Sequence, residues 1–121
     1  MAHYQNINLT AAADLYFCTP RNSTLIKVQL VTAANFGTHN LNYFTVTVFG
    51  NDGLTAVASH SNNIAGGQAY TEGIADSATL VNTNLADYSR TQGCKVTSVL
   101  TGAGTIDGNL ILTFDDARAM P

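Results

Sequence analysis

The chain has 121 residues and a formal net charge of −3, from five Lys/Arg and eight Asp/Glu. That length suits one domain burying roughly two-thirds of its unfolded surface, and a hydrophobic content of 45 % excludes a disordered chain. Charged residues make up only 11 %, under half the roughly 25 % of ordinary soluble domains. The basic residues Arg21, Lys27, Arg90, Lys95 and Arg118 are scattered, so no basic run is offered to nucleic acid. No apolar stretch approaches the ~18 residues of a membrane span, so neither nucleic acid nor membrane is an expected partner. The start, Met1-Ala2-His3-Tyr4-Gln5-Asn6, has no basic n-region or apolar h-region. It predicts no secretory leader.

Residues 1–8 are polar and without periodicity, which predicts an N-terminal arm or a short edge strand. Ile7, Leu9 and Ala11 can alternate into a sheet with Thr10 facing out, and Leu15-Tyr16-Phe17-Cys18 is a stronger strand fragment. Thr19-Pro20-Arg21-Asn22 is a turn, since Pro cannot donate to a ladder. Residues 23–33 form the first long strand, with Ile26, Val28 and Leu30 on one face and Leu25, Lys27, Gln29 and Val31 on the other. Residues 34–41 are a loop by composition.

The clearest local signal is residues 42–58, NYFTVTVFGNDGLTAVA. Phe44, Val46 and Val48 alternate with Thr45, Thr47 and Phe49, the period of a strand. Asp52-Gly53 then signals a hairpin, and residues 54–58 return as its second strand. Residues 59–68 are expected as a long flexible loop. Residues 69–81 fit neither period cleanly and are expected as an irregular strand ending at Leu80-Val81. Residues 82–90 turn, with Leu85 and Tyr88 anchored inward. Residues 93–101 are a strand with a bulge expected near Ser98-Val99. Residues 102–108 are a glycine-rich connection, and residues 109–115 close the fold with Leu110, Leu112 and Phe114 on one face. Short strands punctuated by turns, with no room for crossover helices, predict an all-β antiparallel β-sandwich, jelly-roll-like. Its expected division is an arm over 1–8, a sandwich over 9–116 and a tail over 117–121. Phe44, Val46 and Val48 are expected to face Leu110, Leu112 and Phe114, or Ile26, Val28 and Leu30, across the core.

Chemistry-bearing residues are sparse. His3, His39 and His60 lie on the arm and on polar loops with no metal-ligand spacing between them. Cys18 and Cys94 lack CxxC partners and read as two free, buried thiols, pairing only if their strands are neighbours. Asp107, Asp115 and Asp116 read as solvated carboxylates rather than a cation site. Ser59, Ser61 and Ser89 have no nucleophile elbow. Glu72 and Asp76 are four apart on an irregular segment, which is commonplace for acids that are not a glycosidase pair. Gly66-Gly67 and Gly102-x-Gly104 lead into no helix that could hold a phosphate. Tyr4, Tyr43 and Tyr70, in a chain without Trp, read as edge or interface residues. No catalytic residue, cofactor or metal is therefore assigned, and no enzyme is expected.

The order LIKVQLVTAA (25–34), NYFTVTVFG with a tight turn, TLVNTNLADYSRTQG (79–93) and KVTSVLTGAGTIDGNLILTFD (95–115), with its TGxGT step, resembles small phage virion proteins. These are the head decoration (cement) and head-fibre β-sandwich domains. The similarity covers about three-quarters of the chain; residues 70–78, the arm and the tail depart from it. It implies a structural virion protein, made in the host cytoplasm, that binds the major capsid protein on the outer capsid surface as a homo-oligomer, often a trimer. The unmatched ends are then the expected partner-binding parts: His3, Tyr4, Gln5 and Asn6 in the arm, Arg118 and Met120 in the tail. The alternative is a tail-fibre, baseplate or receptor-binding β-sandwich domain whose loops around His39 and His60 contact host glycan. A free-standing carbohydrate-binding or adhesin module is a third possibility.

Overall fold

The computed structural model describes residues 3–19 and 21–116. Its strands are β1 His3–Leu9, β2 Ala13–Cys18, β3 Ser23–Thr32, β4 Tyr43–Phe49, β5 Ala56–Ser61, β6 Ala75–Ser77, β7 Asp87–Tyr88, β8 Gly93–Thr101 and β9 Gly108–Asp116, with one 3-10 turn over Thr83–Leu85. One sheet runs β1-β9-β3-β6, with β7 also on β3, and the other runs β2-β8-β4-β5. Every ladder is antiparallel, and the two sheets pack as a sandwich.

The pairing is nested about the 42–58 hairpin. β4 pairs β5, then β3 pairs β6 and β7, β2 pairs β8, and β1 pairs β9. Rolling this long hairpin so that β9 meets β3 and β8 meets β4 gives the jelly roll. β6 and β7 share one lane beside β3. Ala78 N–H continues it to Val28 O, and Leu25 N–H closes it onto Ala86 O.

Period-two alternation places the core. Phe44, Val46, Val48, Cys94 and Val96 point inward from one sheet, and Leu25, Val28, Leu30, Leu110, Leu112 and Phe114 from the other. The expected inward triplets of β4 and β9 are thus buried. β3 departs from its expected pattern. A register shift between Leu25 and Lys27 turns Leu25 inward and leaves Ile26 exposed, so the inward set is Leu25, Val28 and Leu30. The extra residue reverses parity at its own position. The bulge expected near Ser98-Val99 is absent: β8 runs unbroken against β4, and Leu100 continues the inward row of Cys94, Val96 and Ser98. The second shift lies instead at Val48/Phe49, beside the hairpin turn.

That turn is longer than Asp52-Gly53 alone suggests. β5 begins at Ala56, after a loop closed by Gly50 N–H to Thr55 O. Asp52 holds the loop by accepting from Leu54 N–H, Thr55 N–H and the Thr55 hydroxyl. The Thr55 hydroxyl first, then these amides, keep its carboxyl below the usual range. Gly53 sits at φ 69°, where a side chain is strained. In the TGxGT step, a Cβ on Gly104 would lie 2.3 Å from Tyr43 O, so the motif is a close backbone crossing.

Of the two expectations for residues 1–8, the edge strand holds for the described part: His3 to Leu9 align with Phe114 to Gly108 without a break, and Ile7 and Leu9 are buried. Residues 59–68 are only partly loop, because β5 continues through Ser61. The irregular strand expected to end at Leu80-Val81 is the short β6, ending at Ser77. Phe17 pairs with Cys94, so the cysteine strands are neighbours, yet Cys18 faces out and Cys94 faces in, and both thiols are free. Burial pushes the Cys94 thiol up to about 12.

Phe114 contacts Phe17 edge-on at 6.1 Å and Tyr88 at 6.0 Å, so it joins both sheets. Phe114→Ala is expected to lower unfolding free energy by about 3–5 kcal/mol. Ile26→Ser, at the exposed bulge, should change it by less than about 0.5 kcal/mol. Urea denaturation of both variants checks the inversion of parity.

Candidate docking surface

The outer face of the β2-β8-β4-β5 sheet is set by what the inward residues leave behind. Asp14, Thr97, Thr47 and Ser59 form one cross-strand row; Val99, Thr45 and Ser61 form the next, and Thr101 pairs with Tyr43 beyond it. At the other end Lys95 lies between aromatic rings, its Nζ 5.9 Å from the Tyr16 centroid and 5.2 Å from that of Phe49. Asp14 and Lys95 are the charged side chains of these rows, and the rest is Thr, Ser, Val and aromatic. Thr recurs because a β-branched side chain fits a pleated surface.

The sequence-assigned partner residues sit on β1. Tyr4 is 70 % exposed and Asn6 is exposed, while His3 and Gln5 point inward at the sheet margin. The His3 ring stacks on Phe114 at 5.5 Å, and its Nε2 is 3.4 Å from Ser23 Oγ. The structure thus brings Tyr4 and Asn6 to one solvent-facing row and gives His3 a packing role. Arg118 and Met120 lie outside the described residues.

The histidines behave differently from one another. His39 is an exposed loop residue whose Nδ1 accepts from Leu41 N–H and Asn42 N–H. Its backbone joins the segment after β5: His39 N–H donates to Asn62 O, and Ile64 N–H to His39 O. His60, expected in a polar loop, is 4 % exposed on β5 opposite Val46. Its Nδ1 is 2.9 Å from Tyr70 Oη, and its Nε2 is buried without a hydrogen-bond partner. Tyr70, read as an interface residue, is instead core, packed on Phe44 at 5.4 Å. The missed signal was parity: Ala58 and His60 continue the inward row opposite Val48 and Val46.

Other candidates are structural. Ser61 Oγ donates to Phe44 O and accepts from Asn63 N–H. Ser89 Oγ contacts Thr91 Oγ1. Asp116 pairs with Arg21 at 3.0 Å. Among the described residues no group of three His, Cys, Asp or Glu is placed to hold a metal ion, and no helix is long and apolar enough to cross a membrane. Compared with protein-family models, curated proteins and solved structures, the chain finds no match.

Burial lowers the His60 pKa, opposed by the Asp76 charge and the Val28 carbonyl. The folded chain therefore resists a proton that the unfolded chain binds near pH 6.5. Stability is retained above that pH and falls as pH drops below it. Melting between pH 8 and pH 5 should show this loss, and His60→Gln should flatten it. An equal loss in the variant would assign the effect elsewhere.

Proposed function

We propose that the chain is a structural virion protein that binds the major capsid protein on the outer surface of a phage capsid and stabilises the shell as a homo-oligomer, without catalysis. The observation that carries this reading is the outer face of β2-β8-β4-β5, with its rows of Thr and Ser, its Tyr16–Lys95–Phe49 cluster and its two charged side chains. Docking such a face dehydrates few charges, which keeps the desolvation penalty low. A sandwich is also rigid, so little conformational entropy is lost on binding. Repetition over a shell then multiplies a modest affinity. The resemblance of the strand order to phage decoration and head-fibre domains points the same way.

A second reading rests on the loop end. The His39 loop, residues 62–64 and the 102–107 connection gather around a cleft of about 500 Å³ lined by Phe36, His39, Asn42, Asn62 and Asp107. A tail-fibre, baseplate or receptor-binding domain would use such loops for host glycan.

Co-sedimentation with phage capsids tests the first reading. Val99→Lys, on the exposed outer face, should weaken capsid binding at least about tenfold while leaving the melting temperature unchanged. Retention on a glycan array without capsid binding would replace the first reading with the second.

A further inference from the structure

The four margins of the two sheets are protected unequally. β5 is covered along its open side: Val57 O accepts from Val81 N–H, Ser61 O from Gln68 N–H, and Ala56 O from the Asn82 side chain. The opposite margin of the other sheet is short and interrupted, with Asp76 in β6 and Asp87 in β7. β2 presents Asp14 outward. β1 has none of these devices. It is seven residues long, keeps an unbroken register to β9, and contains no Pro, Lys, Arg, Asp or Glu. It lies at the end of its sheet, so among the described residues one side of its backbone has no strand partner. An edge of this kind is a template for another strand.

We propose that β1 pairs antiparallel with β1 of a second copy, about a two-fold axis through Asn6, joining the two β1-β9-β3-β6 sheets into one. The strand's lack of charge suits it to a copy of itself, and its in/out parity and length set the register. A two-fold contact must match the surface to itself, and an uncharged strand places no like charges opposite each other. Inward residues must also meet inward residues, because a slip of one would turn every side chain to the wrong face. Among the registers that satisfy this, pairing Asn6 with Asn6 overlaps the full strand. It sets Tyr4 across from Asn8 on the solvent face, and Gln5 from Ile7 and His3 from Leu9 on the inner face. Tyr4 then covers apolar area that is open in the single chain.

The pairing does not rest on the virion reading, and its test needs no capsid. Sedimentation velocity of the full chain, at concentrations rising to about 1 mM, should show a monomer–dimer equilibrium. Asn6→Lys and Asn6→Asp each place like charges opposite themselves across the axis. Because Asn6 is exposed, both variants should keep the parent melting temperature while weakening the dimer about fivefold or more. Mixing the two in equal amounts should restore dimers, since Lys then faces Asp. A chain that stays monomeric throughout overturns the proposal. So does any oligomer, a trimer included, whose dissociation is indifferent to both substitutions and to their mixture.

Discussion

The structure depends on one constraint, the burial of the alternating faces of β4 and β9 against each other's sheets. Phe44, Val46 and Val48 on one side and Leu110, Leu112 and Phe114 on the other are essentially inaccessible to water. Each strand is an inner member of its sheet, flanked on both sides: β4 by β8 and β5, β9 by β1 and β3. With those faces fixed inward, the opposite parity of every neighbouring strand is committed to solvent. The Thr-rich outer face is therefore a consequence of the core. The proposed docking role uses what the core leaves outside.

Polar groups inside the sandwich tie its halves together. Tyr88, on β7 of one sheet, donates its hydroxyl to Phe49 O on β4 of the other. Asn62 accepts from Phe44 N–H and donates to Gly37 O, anchoring the loops at one end. His60 and Tyr70 close the side of the sandwich between β5 and β6, where Ala78 and Val81 N–H groups bond to the flanking strands. Satisfied polar groups of this kind fix a single packing, because an alternative arrangement would strand them without partners. His60 Nε2, like His3 Nδ1 and Thr32 Oγ1, is buried without a hydrogen-bond partner, and it makes its side of the sandwich sensitive to protonation.

Edges matter as much as faces. A rolled hairpin leaves four margins, and this chain covers β5 with its own loops and shortens and charges the β6/β7 lane. β1 and β2 stand on the opposite side, with β1 uncharged. The virion reading uses the broad face, whereas the strand-pairing proposal uses the margin. The two surfaces belong to different sheets, so one chain could engage a shell and a second copy at the same time.

The fold class, the central hairpin and the inward rows of β4 and β9 were legible in the residues alone, because period-two alternation states burial directly where an inner strand's inward row runs without a bulge. The residues alone also located Leu85 and Tyr88 as inward anchors. Tertiary structure decided the rest. The bulge that exchanged Leu25 for Ile26 arises from β3 matching β9, a partner more than eighty residues away, and local periodicity carries no trace of it. His60 and Tyr70 lie in polar, loop-like composition, and only cross-strand pairing with Val46 and packing on Phe44 bring them inside. Residues 3–8 belong to a stretch that reads as an arm or a short edge strand, because a marginal strand has one solvated face and no hairpin of its own. Their partner is β9, at the far end of the chain, and closing that nested pair is what makes the stretch an edge.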